Sequence, residues 1–133
     1  MAVVKRFEDL EIWQLACELC KEIFRVTSYE SFSKDLRLRD QLRSSSGSIM
    51  DNIAEGFERG GNKEFAQFLS VSKGSCGELR SQLYRILDFG YISENEFNAL
   101  TKRAIYLSQS IAGFMNYLKQ SAMKGSKYKP FES

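Results

Sequence analysis

Cys17-Glu18-Leu19-Cys20 sets two thiols three positions apart, the spacing used by thiol–disulfide exchangers and by half of a zinc site. An exchanger of that kind follows a strand and opens a helix, and a zinc site needs two further ligands, for which Cys76 is the one thiol left. Both cysteines instead fall inside an apolar stripe at helical spacing, where free cysteine packs as a small hydrophobe. Asp51, Glu55 and Glu58 stand at steps of four and three, as the carboxylates of di-iron bundles do, but those sites add a histidine one turn on and this chain has no histidine. A solvated acidic face is the reading adopted, with Mg²⁺ binding as the lesser alternative. No Gly-x-Ser-x-Gly turn frames a serine for nucleophilic attack. With the commonest general base and metal ligand missing, the expectation is no catalytic residue, no metal and no cofactor.

Positive charge is the other candidate for chemistry. Nineteen Lys and Arg against 17 Asp and Glu give a net charge of +2, too near balance to mark a nucleic-acid binder by itself. Its distribution is uneven. Lys34, Arg37, Arg39 and Arg43 cluster around Asp35 and Asp40, while Lys119, Lys124, Lys127 and Lys129 meet no acidic residue before Glu132. A basic end is commonly just solvated, yet several copies brought together by assembly contact phosphates with an avidity that one copy lacks. Arg37, Arg39, Arg43 and these four lysines are the candidate nucleic-acid contacts. Tyr128 and Phe131 interleave with the lysines and are of the type that stacks on bases.

The elements that must hold these residues are helices. A chain of 133 residues with one proline and nine glycines has too few turn residues for an all-β sandwich and is long enough to bury about two thirds of its unfolded surface around one core. Ile12, Ala16, Leu19, Ile23 and Val26 recur at steps of four and three, predicting a helix over about 10–27 with Asp9 as cap. Leu38, Leu42, Ile49, Ile53 and Phe57 mark a second, 34–59, capped by Ser33 and ended by Gly60-Gly61. Phe65, Leu69, Ser72, Cys76, Leu79, Leu83 and Ile86 mark a third, 63–89, with Asn62 as cap and Gly90 as stop. Ser93-Glu94-Asn95-Glu96 is a capping box opening a fourth, 94–122, inward-facing at Phe97, Leu100, Ala104, Leu107, Ile111, Phe114 and Leu118. Residues 123–133 form a basic tail. Long helices with short turns predict one all-α domain, an up-down-up-down antiparallel four-helix bundle.

Two stretches bear on packing and assembly. Ser44-Ser45-Ser46-Gly47-Ser48 has the composition of a linker, but Leu42 and Ile49, seven apart, keep the helix phase across it. With Ser70 to Gly77 it lets helices two and three approach closely, so leucine at Ser46 or Ser72 would overpack the crossing. The first helix also carries a second stripe, Leu10, Trp13, Cys17, Cys20 and Phe24, that its own core does not need. Loop cover and subunit contact both account for such a stripe. The reading adopted is a homo-oligomer with Leu10, Trp13 and Phe24 between chains. No apolar run is long enough for a membrane span and the first residues lack a signal-peptide core, so a cytoplasmic protein is expected.

Phe7-Glu8-Asp9-Leu10-Glu11-Ile12-Trp13, Gln41-Leu42-Arg43, and the block from Ser48 to Phe57 containing Asn52-Ile53-Ala54-Glu55-Gly56 resemble the four-helix bundle proteins named after intervening sequences in 23S ribosomal RNA genes. So do Lys63 to Leu69, Ser75 to Leu79 and Leu87 to Ser93, and the resemblance covers about Phe7 to Leu118. Met50 and Asp51 stand where the family commonly has Pro-Ser, which removes the usual cause of a kink there. The resemblance implies a bacterial bundle assembled as a ring of five, related to accessory variability determinant proteins that partner a reverse transcriptase and bind nucleic acid, with no enzyme activity. Partners implied are the chain itself and either structured RNA or a nucleic-acid-processing protein, the latter making it a scaffold or accessory subunit with no direct nucleic-acid role. In the signature block Asn52 and Glu55 are expected to bond across to helix three or a neighbouring chain, and Gly56 to permit close packing, with ligand contact as the alternative.

Overall fold

The computed structural model describes residues 4–123, the last two through their backbone alone. Four helices, α1 (Glu11–Thr27), α2 (Leu36–Glu58), α3 (Asn62–Asp88) and α4 (Glu94–Met123), are preceded or joined by 3-10 turns at Phe7–Asp9 and Glu30–Phe32, and the described residues include no strand. Each helix packs on the next, and α4 returns to α1. The core between them takes one stripe from each: Leu19 and Ile23 of α1, Ile49 and Ile53 of α2, Leu79 and Leu83 of α3, Leu107 and Ile111 of α4, all but inaccessible to solvent. Phe57, Phe65 and Phe114 add edge-to-face ring contacts at one end of the bundle.

Helix starts depart from the expected caps for local reasons. Asp9 is taken into the first 3-10 turn and faces Arg6, so α1 begins behind Leu10 with no side-chain cap. Ser33 closes the second 3-10 turn, whose purpose is the burial of Phe32, and the cap of α2 passes to Asp35, which accepts from Leu38 N at 3.3 Å. Gly61 holds the cap position of α3, leaving Asn62 as its first helical residue. The capping box at α4 forms as read: Ser93 Oγ accepts from Glu96 N at 3.1 Å, and Glu96 Oε1 accepts from Ser93 N at 3.1 Å. Gly90, at φ +78°, closes α3 with paired bonds from Tyr91 N to Ile86 O and from Gly90 N to Leu87 O.

The small residues do more than allow close approach. Between α2 and α3, Ser72 Oγ donates to Ile49 O at 2.8 Å, Ser75 Oγ donates to Ser48 Oγ at 3.0 Å, and Ser45 Oγ donates to Gln82 Oε1 at 2.6 Å. Rising positions on α3 thus meet falling positions on α2. The seam is polar, buried and hydrogen-bonded, which fixes register where an all-aliphatic contact could slide. Ser46 is not part of it: it lies against Cys20 Sγ of α1 at 3.7 Å, because it projects about 100° around the helix from Ser45. Helix α2 runs unbroken through the Ser-Gly stretch and past Met50.

Candidate functional site

The cationic cluster sits at the start of α2. Lys34 and Arg37 are both exposed. Arg39 is half-buried and donates to Asp40 Oδ1 at 2.9 Å. Asp35 is engaged by the Leu38 amide and by the Tyr91 hydroxyl at 2.8 Å, so its charge is turned inward. Arg43 serves the fold first. Its Nε donates to Thr27 Oγ1 at 2.9 Å, its Nη2 to Ser28 Oγ at 3.1 Å, and its guanidinium lies 4.2 Å from the centroid of the Phe24 ring. Arg43 is thereby a clamp between the end of α1 and the body of α2. Arg39, Arg43, Phe24 and Tyr29 border a shallow notch of about 420 Å³ between these helices, a surface of cations beside an exposed aromatic.

Lys119 lies elsewhere. It borders Asn62 and Lys63, where α3 begins, whereas the arginines face the end of α1 and the approach to α4. The 23 residues of α2 separate the two ends by about 35 Å, so one subunit does not bring Lys119 to the arginines. Lys124, Lys127 and Lys129, with Tyr128 and Phe131, lie outside the described residues.

The second stripe of α1 divides. Leu10 is 5% exposed and belongs to the chain's own core, because the turn at Phe7–Asp9 folds the preceding residues over it; it is not available to a neighbour. Trp13 is half-buried, its ring edge-on to Phe7 at 5.3 Å. Beyond that cover Cys17 and Cys20 are half-buried and Phe24 is 59% exposed, and with Lys21 and Met50 they line an open apolar depression of about 410 Å³.

In the signature block, Asn52 Nδ2 donates to Ser48 O at 2.8 Å and to Ser48 Oγ at 3.0 Å, reaching α3 only through the Ser48–Ser75 bond. Glu55 does not cross to α3; it faces solvent and pairs with Arg59 at 3.0 Å. A β-carbon on Gly56 would collide with the β-carbon of Phe68 at 2.6 Å. The block therefore sets helix spacing. Cys76 is fully buried, and that burial pushes its thiol up to about 11, so it stays protonated near neutral pH. Among the described residues no three Cys, Asp or Glu side chains gather as a metal site, and no helix is long and apolar enough to cross a membrane.

Sequence reasoning missed Gln82, the buried amide behind Ser45, and the bond from Tyr29, in the loop after α1, to Glu96 of α4. Its place seven residues after Ser75, beside the inward stripe of α3, was the available signal for Gln82; Tyr29 gave none.

Residues 8–113 match the family described as 23S rRNA-intervening sequence protein. This chain belongs to that family. A solved member of what is called the S23 ribosomal protein family, from Bacteroides thetaiotaomicron and of unknown function, is similar in fold: TM-score 0.72 at 16% identity, over 78% of this chain and 97% of that one. No match is found among curated proteins. The residues matched to the family span the Gly56 contact, the serine seam, the α1 stripe and the α2 arginines, but stop short of Lys119.

Proposed function

We propose that the protein is a non-catalytic, homo-oligomeric bundle of the cytoplasm, a ring of five up-down-up-down antiparallel subunits, that binds structured RNA through the start of α2. The observation that carries this reading is the pairing of an uncovered apolar stripe, Cys17, Cys20 and Phe24, with half-buried Arg39 and Arg43 beside Phe24, and with Arg37 exposed at the start of the same helix. The first gives a second subunit something to cover; the second places cations beside that seam, where copies around a ring present them together. The descending register of Ser72, Ser75 and Gln82 against Ile49, Ser48 and Ser45 supports the antiparallel order. Arg43 enters also as the brace of this surface, with its Nε and Nη2 held by Thr27 and Ser28.

Light scattering coupled to a salt titration with a structured RNA tests both halves. The expected result is a multiple of the 15.3 kDa chain, with affinity falling about 0.7–0.9 log unit per log unit of salt for each phosphate neutralised. A monomer at micromolar concentration refutes the ring, and no binding at about 50 mM salt refutes the RNA partner. A protein partner that co-purifies through nuclease and high salt transfers the apolar stripe to a scaffold role instead.

A further inference from the structure

We propose that Cys17, Cys20 and Met50 form a binding site for a soft monovalent metal ion, Cu(I), an inference that goes beyond the RNA-binding reading and does not rest on it. The two thiols stand three positions apart on α1, a spacing that puts side chains on one face with their β-carbons about 5–6 Å apart. Met50 comes to the same place from α2. Arg43 bonds to Thr27 and Ser46 to Cys20, so positions that rise along α2 meet positions that fall along α1. Met50 is one turn beyond Ser46, and Cys17 is one turn before Cys20. The two therefore oppose each other across the groove, and all three sulfur-bearing side chains line the open depression of about 410 Å³ whose other walls are Lys21 and Phe24. Each of the three is half-buried. Packing alone does not account for them: a cysteine that serves only as a small hydrophobe is enclosed, as Cys76 is, whereas these two open onto the surface.

The donor set selects the metal. Two thiols and a thioether are soft ligands, of the kind that hold Cu(I). Zinc takes thiolate, imidazole or carboxylate and closes its structural sites with four of them; a thioether is not among its ligands, and this chain has no imidazole. Magnesium and calcium need oxygen, and no carboxylate lines the depression. Glu18, between the two cysteines in sequence, borders the adjoining groove and pairs with Lys21 at 3.8 Å. Binding replaces two S–H bonds by two metal–sulfur bonds and releases both protons to the medium, with no change in the oxidation state of ion or sulfur. Two thiolates on one Cu(I) leave a net negative charge, and Lys21 is the cation at the margin that offsets it.

Anaerobic titration of the full, reduced chain with Cu(I) presented as its bicinchoninate complex tests the site. The expected result is withdrawal of one Cu(I) per chain from the chelator, read as loss of the complex's colour, and no displacement by excess Zn²⁺. Cys17→Ser and Cys20→Ser are each expected to weaken binding about 100-fold or more, and Met50→Leu, which keeps the volume, about tenfold, set against the about 10- to 100-fold that loss of an outer-shell partner costs a metal site. Met50→Leu is also expected to keep the melting temperature of the metal-free protein, which separates ligation from packing. Cys76→Ala is expected to leave the transfer unchanged. No withdrawal of Cu(I), full affinity in Cys17→Ser, Cys20→Ser or Met50→Leu, or displacement by Zn²⁺ overturns the assignment. All three donors come from one chain, so light scattering on the same samples reads the two proposals apart: a monomer that takes Cu(I) refutes the ring alone, and an assembly that takes none refutes the metal site alone.

Discussion

A β-carbon built at Gly56 would stand 2.6 Å from the β-carbon of Phe68 and 3.0 Å from the ring of Phe65. Neither contact is with the free end of a flexible chain, since Phe68 Cβ is fixed to the backbone of α3. Alanine there gains up to about 1 kcal/mol of helix propensity but forces α2 and α3 apart along the whole serine seam. Gly56→Ala is therefore expected to lose about 1–3 kcal/mol net, read as a lower urea midpoint at an unchanged slope. Gly77, also helical, meets nothing within 4 Å, and Gly77→Ala is expected to gain about 0.5–1 kcal/mol. If both substitutions raise stability, propensity rather than spacing decides at Gly56. Cys76 obeys the same enclosure: with its thiol buried and raised to about 11, it should resist alkylation in the native protein at pH 8 and react once the chain is denatured, as intact-mass measurement would record.

Between elements, the loop after α1 and the start of α4 are tied by the Tyr29 hydroxyl donating to Glu96 Oε2. That bond, followed by the Ser93 amide, holds the Glu96 carboxyl below the usual carboxylate range, and the same bond raises Tyr29. A carboxyl lowered in the fold adds stability that is whole above its unfolded value and is lost as pH falls through its folded value; a phenol raised in the fold adds stability that is lost as pH rises through its own. The tie is thus intact at neutral pH. Tyr29→Phe is expected to lower the melting temperature at pH 7 and to converge on the unsubstituted protein as the medium is acidified below the carboxylate range. A constant gap across that range would mean the carboxylate is not the partner that matters. Such ties were hard to foresee because Tyr29 and Glu96 lie 67 positions apart, and no period links a loop residue to a helix start. By contrast the four inner stripes and the box at Ser93 were legible, since each is encoded within a few turns of chain. Caps at Asp9, Ser33 and Asn62 misled because neighbours changed the competition: burying Phe32 winds an extra turn before α2, and Gly61 reaches the extended cap conformation before Asn62 does.

For the molecule as a whole, the proposed candidate contacts divide between two ends, so a ring has to supply what one subunit lacks. Leu10 is spent in the subunit core and Trp13 is partly covered by Phe7, which moves the weight of any subunit contact to Phe24. At 59% exposure Phe24 gives its own chain little beyond a cation–π contact with Arg43, worth about 0.5–1 kcal/mol at an exposed site. Burying the part of this ring still exposed against a neighbour is worth about 1–2 kcal/mol, which changes a contact's dissociation constant by about 5- to 30-fold. Arg43 keeps its place in Phe24→Ala through Thr27 and Ser28, so the helical content should be unchanged. The expected outcome is a shift toward smaller species in light scattering at micromolar protein, together with a shallower salt dependence of RNA binding, because fewer copies act on one RNA. An assembly of unaltered mass would place the interface away from the α1 stripe. Mass lost with RNA affinity and salt slope both retained would separate assembly from recognition and leave Arg37 and Arg39 acting within a single subunit.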